Sequence, residues 1–238
     1  MTAAPLLECR DVASGYEDAV VISGISLRVE AQRILAVLGK NGMGKTTLLK
    51  TIMGFVPPTS GTIRMGDQDI SRTPPEVLAR AGIAYIPQEE AIFQDLSVED
   101  NLRLALARDR DLEPGLRRIA DYFPVIAERR RQKAGTLSGG EQKMLLMSRA
   151  LIVQPKVILV DEISEGLQPT MVAKMADALV RMAAENDTSI LLVEQNVGFV
   201  AQVAHDVALL KIGQIVDRRS AATSDGLNEA DLIEMMRV

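Results

Sequence analysis

Five short apolar runs, each of four or five residues, are spread along the chain. They are residues 34–38, 83–86, 157–160, 190–193 and 207–210. Unbroken apolar runs of this length are typical of strands buried on both faces of a parallel sheet. Helix-compatible stretches follow three of these runs, at residues 46–53, 169–185 and 197–204. The alternation of strand and helix predicts an α/β fold.

The beginning of the chain has a different pattern. Residues 25–29 alternate apolar and polar side chains with a period of two, which is typical of a half-buried antiparallel strand. Short β-type runs at residues 6–9 and 20–22 precede them. We therefore expect antiparallel strands before the first parallel one.

Helical patterning dominates the middle of the chain. Leu102, Leu104 and Leu106 fall in one helix-forming run, and residues 113–133 continue with helical spacing and many charges. We interpret residues 90–153 as a helical insertion between strands of the α/β core. The core then comprises residues 1–89 and 154–238, and residues 1–238 form a single domain with that inserted subdomain.

Composition narrows the possible functions. The 238 residues carry a formal net charge of -5, which disfavours broad electrostatic binding of nucleic acid. Cys9 is the single cysteine, so no internal disulfide can form. No run approaches the 18 or so apolar residues of a membrane span, and the first residues lack the pattern of a signal peptide. We expect a cytoplasmic protein that reaches a membrane only by docking to a partner.

The strongest motif follows the apolar run at 34–38. It fits the phosphate-binding pattern G-x-x-x-x-G-K-[ST] and consists of Gly39, Lys40, Asn41, Gly42, Met43, Gly44, Lys45, Thr46 and Thr47. The glycines let backbone N–H groups approach phosphate oxygens, and the following helix N-terminus adds positive potential. Lys45 is predicted to reach the β- and γ-phosphates, and the Thr46 hydroxyl to bind Mg²⁺.

A pair of carboxylates follows the apolar run at 157–160. Asp161 and Glu162 lie where an α/β sheet places ligand groups, at the carboxyl end of a strand. Beside a phosphate loop, Asp161 is predicted to hold Mg²⁺ and Glu162 to polarise the attacking water. Without that loop, two carboxylates starting a turn would be the simpler interpretation.

A third motif runs from Leu137 to Gln142. Ser138 and Glu141 form a capping box at a helix start, while Gly139 and Gly140 leave N–H groups open to an anion. With the phosphate loop and Asp161-Glu162, this segment resembles the signature of ABC-type (ATP-binding cassette) ATPases. The resemblance covers almost the whole chain.

The resemblance implies a fold: a P-loop NTPase (RecA-like) core with an N-terminal antiparallel β subdomain and an inserted α-helical subdomain. It also implies further site residues. Tyr16 corresponds to the aromatic residue that stacks on adenine, and Gln88 to the glutamine that senses Mg²⁺ and links to a membrane partner. Ser138, Gly139, Gly140 and Glu141 would contact ATP held by a second ABC ATPase subunit, so that two subunits enclose two ATP molecules.

Three positions depart from the family pattern. Gln195 stands where a histidine usually contacts the γ-phosphate, and we interpret the single histidine, His205, as structural. In the loop after Glu162, Gln168 replaces a usual aspartate and Ile163 a usual proline. Glutamine donates a hydrogen bond but cannot become cationic, so Gln195 is expected to assist catalysis weakly.

Three segments, at residues 48–54, 164–167 and 194–196, resemble one subgroup. This subgroup is the F-type ATPase of branched-chain amino acid importers, with relatives that serve urea and amide uptake. That resemblance implies transmembrane permease subunits, a different second ATPase chain and, indirectly, a periplasmic binding protein. A homodimer of isolated chains is the alternative to the heterodimer. The protein would then lie on the inner face of the cell membrane.

Two other hypotheses come from different functional classes. A nucleotide-binding regulatory subunit with weak catalysis would explain Gln195 and Gln168, although the intact Glu162 argues against it. An ABC-type ATPase of DNA repair or translation would carry long coiled-coil insertions, a second cassette or a basic surface, none of which this sequence shows. We therefore expect no nucleic-acid partner.

Overall fold

A computed structural model describes residues 6–17, 19–88, 92–220 and 227–237. Its strands in chain order are β1 (Leu7–Tyr16), β2 (Ala19–Val29), β3 (Ile34–Leu38), β4 (Ser60–Met65), β5 (Gln68–Asp69), β6 (Ile83–Ile86), β7 (Val157–Asp161), β8 (Ser189–Glu194), β9 (Asp206–Lys211) and β10 (Gln214–Ser220). Its α-helices are α1 (Lys45–Ile52), α2 (Pro75–Ala81), α3 (Val98–Arg103), α4 (Leu112–Tyr122), α5 (Pro124–Glu128), α6 (Gly139–Ile152), α7 (Pro169–Glu185), α8 (Val197–Val203) and α9 (Glu229–Arg237). None of the described helices is long and apolar enough to cross a bilayer.

The larger sheet contains all five predicted apolar runs. Its strand order is β10-β9-β3-β8-β7-β6, and every pair is parallel except the antiparallel pair β9 and β10. The α/β prediction is therefore confirmed. Parallel strands have their carboxyl ends at one edge, so the loops after β3, β6, β7 and β8 emerge side by side.

The smaller sheet is antiparallel, in the order β2-β1-β4-β5. The β-type runs at 20–22 and 25–29, which the sequence suggested as separate strands, both belong to β2. Shifts in the pairing of β1 with β2 near Val12 and Ser14 show that bulges bend one long strand.

The larger sheet is covered on both faces, as its unbroken apolar runs require. Along β3, Ile34, Ala36 and Leu38 pack in a cluster that includes residues of α6, α7 and α8. Leu35 and Val37 pack on the other face, against the smaller sheet and α1. The core therefore consists of two apolar layers with the parallel sheet between them.

Helices α3 to α6 lie between β6 and β7 in the chain, where helical patterning was expected. The prediction was wrong in detail, because α3 ends at Arg103 and leaves Leu104 exposed. The helical pattern at 113–133 is likewise interrupted at Phe123 (φ -133°, ψ 72°). Phe123 precedes Pro124, and the residue before a proline is disfavoured in helical conformation. The boundaries 90–153 of the inserted subdomain stay a prediction.

Candidate nucleotide site

The candidate residues lie at the carboxyl edge of four neighbouring parallel strands. The phosphate loop follows β3, Gln195 follows β8, Asp161 ends β7, and Gln88 lies two residues beyond β6. The register pairs Leu38 with Glu194 and Asp161 with Val193, which brings these loops into one row.

At two positions of the phosphate loop, a side chain would collide with neighbouring atoms. A Cβ at Gly39 would lie 2.7 Å from the carbonyl oxygen of Leu210. At Gly44, where φ is 102°, a Cβ would lie 2.8 Å from a methyl carbon of Ile22. The loop thus packs tightly against neighbouring strands, and α1 begins at the next residue.

Above this loop is an open cavity of ≈ 310 Å³. Its lining comprises Val21, Asn41, Gly42, Gly44, Lys45, Thr46, Thr47, Gln88 and Glu162. The side chain of Met43 turns away from it, since its sulfur accepts a hydrogen bond from the Ile212 N–H (3.2 Å). Lys40 is exposed and contributes its carbonyl oxygen, which accepts a hydrogen bond from the Lys45 ammonium.

Lys45 and Glu162 form a buried ion pair in this cavity. The Lys45 Nζ lies 2.9 Å from Glu162 Oε1, and both side chains are 4% exposed. The ammonium also donates to the carbonyl oxygens of Gly39 (2.8 Å) and Lys40 (2.9 Å). Because the pair is buried, substituting either residue would leave the charge of the other desolvated and without a partner in the pair.

Glu162 has a strained backbone. Its φ of 45° is in the left-handed region, which is uncommon for a non-glycine residue and clusters at functional sites. Its N–H donates to the carbonyl of Val193 (3.0 Å), which ties it to β8. The Gln88 amide donates to Glu162 Oε2 (3.1 Å) and Glu165 Oε2 (2.6 Å). Gln88 is thus placed on the predicted base, and its predicted role at Mg²⁺ is not tested by these contacts.

Asp161 is held from two sides. The Thr46 hydroxyl donates to Asp161 Oδ1 (3.2 Å) and the Tyr85 hydroxyl to Oδ2 (3.2 Å). Burial raises the pKa of Asp161, whereas these two hydrogen bonds lower it. A hydroxyl and a carboxylate oxygen converging beside a phosphate cavity are the hard oxygen donors that Mg²⁺ prefers, so the residues present fit this ion.

Gln195 follows β8 at the same edge and is partly exposed. Its N–H donates to the carboxylate of Glu194 (3.2 Å). Tyr16 ends β1 and is 45% exposed, which leaves its ring available, although it is not among the residues that line the cavity.

His205 lies away from the phosphate loop. Its ring Nδ1 accepts a hydrogen bond from the Ile34 backbone N–H (3.0 Å). The backbone N–H of His205 donates to the Ile34 carbonyl oxygen (2.9 Å). Burial lowers the pKa of His205. A neutral ring that accepts a backbone hydrogen bond agrees with the structural interpretation.

The signature segment is a separate surface. Ser138 Oγ accepts from the Glu141 N–H (3.4 Å) and Glu141 Oε2 accepts from the Ser138 N–H (2.9 Å), so the predicted capping box is confirmed. That hydrogen bond lowers the pKa of Glu141, which also pairs with Arg129 (3.2 Å). Ser138 and Gly139 are exposed, and the signature residues are not among those lining the phosphate cavity.

The structure therefore brings together the phosphate loop, Asp161, Glu162 and Gln88, and keeps Ser138 to Glu141 apart from them. Sequence reasoning missed the contacts of Tyr85 with Asp161 and of Glu194 with its neighbours. Glu194 carried a signal, because a carboxylate ends an otherwise apolar buried strand.

Comparison with known proteins identifies the same family that the sequence motifs resemble. A family model described as ABC transporter matches residues 22–165. The chain is 36% identical over 205 residues to an Archaeoglobus fulgidus protein named "Probable branched-chain amino acid transport ATP-binding protein LivF", covering 85% of this chain and 86% of that protein. It is 33% identical to the Pseudomonas aeruginosa high-affinity branched-chain amino acid transport ATP-binding protein BraG, covering 89% and 91%. It is also 33% identical to the Escherichia coli K12 lipopolysaccharide export system ATP-binding protein LptB, covering 88% of each.

Solved structures support the same fold. A nucleotide-free ATP-binding cassette from an ABC transporter superposes with a TM-score of 0.86, at 22% identity, covering 97% of this chain and 95% of that one. The ADP conformation of an ATP-binding cassette of an ABC transporter gives 0.85, again at 22% identity, covering 98% and 95%.

Proposed function

This chain belongs to the ABC transporter family as an ATP-binding subunit, and we propose that its ATP hydrolysis drives an importer of branched-chain or other small amino acids. The family establishes an ATPase that binds ATP. The observation that best supports ATP hydrolysis by this chain is the buried contact between Lys45 and Glu162 in the phosphate cavity.

The polar and charged groups in and beside the cavity have separate roles in the proposed reaction. Lys45 and the N–H groups of Asn41 to Thr47 bind and neutralise the phosphates, while Glu162 orients and deprotonates the attacking water. Gln88 holds the Glu162 carboxylate in place. Thr46 and Asp161, with Gln88, would hold Mg²⁺, which when bound neutralises charge on the phosphate oxygens.

A second ABC ATPase subunit completes the site. The signature surface from Ser138 to Glu141 lies outside this chain's own cavity and presents N–H groups at the start of α6. We propose that it contacts ATP bound to the partner, whose signature in turn closes the cavity here. A heterodimer with a different ATPase chain is our first expectation, with a homodimer of isolated chains as the alternative.

Transmembrane permease subunits are the proposed mechanical partners. An open groove of ≈ 930 Å³ lies between the sheet core and the α3–α6 region, with Phe55, Tyr85, Pro87, Leu106 and Val153 among its lining residues. Phe55 is 55% exposed and Val153 is 42% exposed. The lining also includes several arginines, and a groove that combines apolar and basic side chains suits a helical segment of the permease. Docking would place the protein on the inner face of the membrane, with a periplasmic binding protein as an indirect partner.

The importer is preferred because of the named relatives and the local sequence. The relatives named for branched-chain amino acid transport match at 36% and 33% identity, and the lipopolysaccharide export protein at 33%. The run Glu194-Gln195-Asn196 further resembles the F-type importer subgroup. Uptake of urea or short amides is the alternative substrate assignment.

Gln195 favours a second candidate, a nucleotide-binding subunit with weak catalysis that regulates an active partner. Single-turnover ATP cleavage by the purified chain, with and without its partner ATPase, separates the two. We expect cleavage within the dimer at the site that holds Glu162, and persistent uncleaved ATP there would establish the regulatory subunit instead.

Uptake measurements test the substrate. In cells lacking this gene, we expect loss of labelled leucine uptake and its recovery with the wild-type gene but not with Glu162→Gln. Loss of urea or acetamide uptake with normal leucine uptake would move the assignment to the alternative importer. Normal uptake of all three with impaired lipopolysaccharide export would contradict an importer.

A further inference from the structure

The carboxylate of Glu194 lies between two segments of the nucleotide site. Its Oε1 accepts a hydrogen bond from the Ser164 N–H (2.9 Å), in the loop after Glu162. Its Oε2 accepts from the N–H groups of Gln195 (3.2 Å) and Asn196 (3.4 Å). The two oxygens of one side chain therefore bind two different loops.

Because the Glu194 carboxylate is buried, its stability depends on these hydrogen bonds. Glu194 is 1% exposed, and none of the ion pairs found among the described residues includes it. A buried carboxylate without an ion-pair partner depends on hydrogen-bond donors, and hydrogen bonds to a charged acceptor are stronger than neutral ones. The carbonyl oxygen of Glu194 also accepts from the Gly39 N–H (3.1 Å), which adds the phosphate loop to the same junction.

The loop after Glu162 is fixed from its other side by α6. The Lys143 ammonium donates to the carbonyl oxygens of Ile163 (3.0 Å) and Glu165. Ser164 thus lies between a carboxylate that holds its N–H and an ammonium that holds the carbonyls on either side. This arrangement leaves the position of the loop, relative to Gln195, dependent on Glu194.

We infer that Glu194 is a positioning residue that sets the distance between Gln195 and Glu162 by holding both of their loops. It is not among the residues that line the phosphate cavity, and it acts through the loops it joins. The catalytic part of this inference rests on the roles proposed above for Glu162 and Gln195. The structural part, that one carboxylate holds three N–H groups, does not.

Glu194→Gln is the appropriate variant, because the shape is kept while one acceptor becomes an NH₂ donor. Such a side chain can bind one loop but faces the N–H groups of the other with a donor. Amide hydrogen exchange of Ser164, Gln195 and Asn196 is therefore expected to accelerate about tenfold in at least one of the two loops. We expect kcat for ATP to fall about tenfold, since small displacements of reacting groups cost this much or more. The Kd of a fluorescent ATP analogue should change by less than about twofold.

Glu8→Gln is the matched control. Glu8 is also buried, at 6% exposure, but it pairs with Arg10 and Arg28 in the smaller sheet, away from the site. This control should leave exchange in both loops, and kcat, unchanged. Unaltered exchange of all three amides in Glu194→Gln would overturn the inference, and so would a fall in kcat matched by an equal loss of nucleotide affinity. If Glu162→Gln kept full activity, the proposed role of Glu162 would fail, while the exchange measurement would still decide that of Glu194.

Discussion

The phosphate cavity and the signature surface contrast in how they are built. In the cavity, charged groups from segments far apart in the chain meet, as Lys45 at the start of α1 does with Glu162 after β7, at 2.9 Å. At the signature, the polar groups satisfy one another locally, since Ser138 and Glu141 cap the helix they start. The first region is buried and assembled from distant sequence, and the second is exposed and formed by four consecutive residues.

This difference indicates which groups each region still needs in order to bind and cleave ATP. The cavity already holds in place the groups that we propose as general base, phosphate-binding ammonium and metal ligands. The signature has one exposed glycine, Gly139, and backbone N–H groups that do not line this chain's own cavity. A surface of that kind is suited to a ligand presented by another subunit, which supports a composite site.

Removing a charged group from the cavity should give the largest effect. Glu162→Gln and Lys45→Ala should each lower kcat about 10²–10³-fold, since they remove the general base or a phosphate-neutralising contact. Steady-state ATPase measurement checks both.

Gln195→Ala provides the comparison within that experiment. A neutral side chain that contributes one hydrogen bond should matter less, and we expect a loss below about tenfold. Comparable losses from all three variants would contradict the auxiliary role of Gln195.

Gly139→Ala tests the signature without disturbing the fold. A Cβ at Gly139 has no neighbouring atom within 4 Å in the chain, so the variant should fold normally, and alanine favours the helix. The added methyl should nevertheless hinder an anion from reaching the N–H groups, lowering ATPase activity about 10²-fold. Thermal unfolding and ATPase rate are measured together. Undiminished activity at normal stability would remove the signature from the site.

Tyr85→Phe tests the support of Asp161. Loss of the hydroxyl removes a hydrogen bond to Oδ2, and partners of metal ligands typically matter about tenfold or more for metal affinity. We expect the Mg²⁺ concentration for half-maximal nucleotide binding to rise about tenfold. Tyr122→Phe is the control, because the Tyr122 hydroxyl donates to Glu185 at the end of α7. An equal response from both variants would contradict a specific role for Tyr85.

His205 belongs to neither region and should show the smallest effect. Its pKa is lowered by burial, so the folded state favours the neutral ring; this contribution is present above the unfolded pKa of about 6.5 and is lost as pH falls. Between about pH 7.5 and 5.5, the wild-type Tm should fall on the order of 2 °C more than that of His205→Asn, which keeps an acceptor but does not titrate. Equal pH dependence of the two proteins would show that His205 does not titrate on unfolding.

Local sequence was sufficient where the signal itself is local. The apolar runs predicted the strands of the larger sheet, and the spacing of Ser138 and Glu141 predicted the capping box. The prediction of a helix through Leu104 was wrong, because the helix ends at Arg103. Tertiary packing sets this end, and the helix propensity of the residues does not reveal it. The contacts of Tyr85 with Asp161 and of Glu194 with Ser164 could not be predicted, since each joins segments far apart in the chain.

We propose that one chain holds an incomplete ATP site. Light scattering and ATPase rate, measured on the same samples over a dilution series in ATP and Mg²⁺, test this directly. We predict that monomeric chains bind ATP but do not turn it over, and that the rate per chain rises with the dimer fraction or on addition of the partner ATPase. Full turnover by chains that light scattering shows to be monomeric would contradict the composite site.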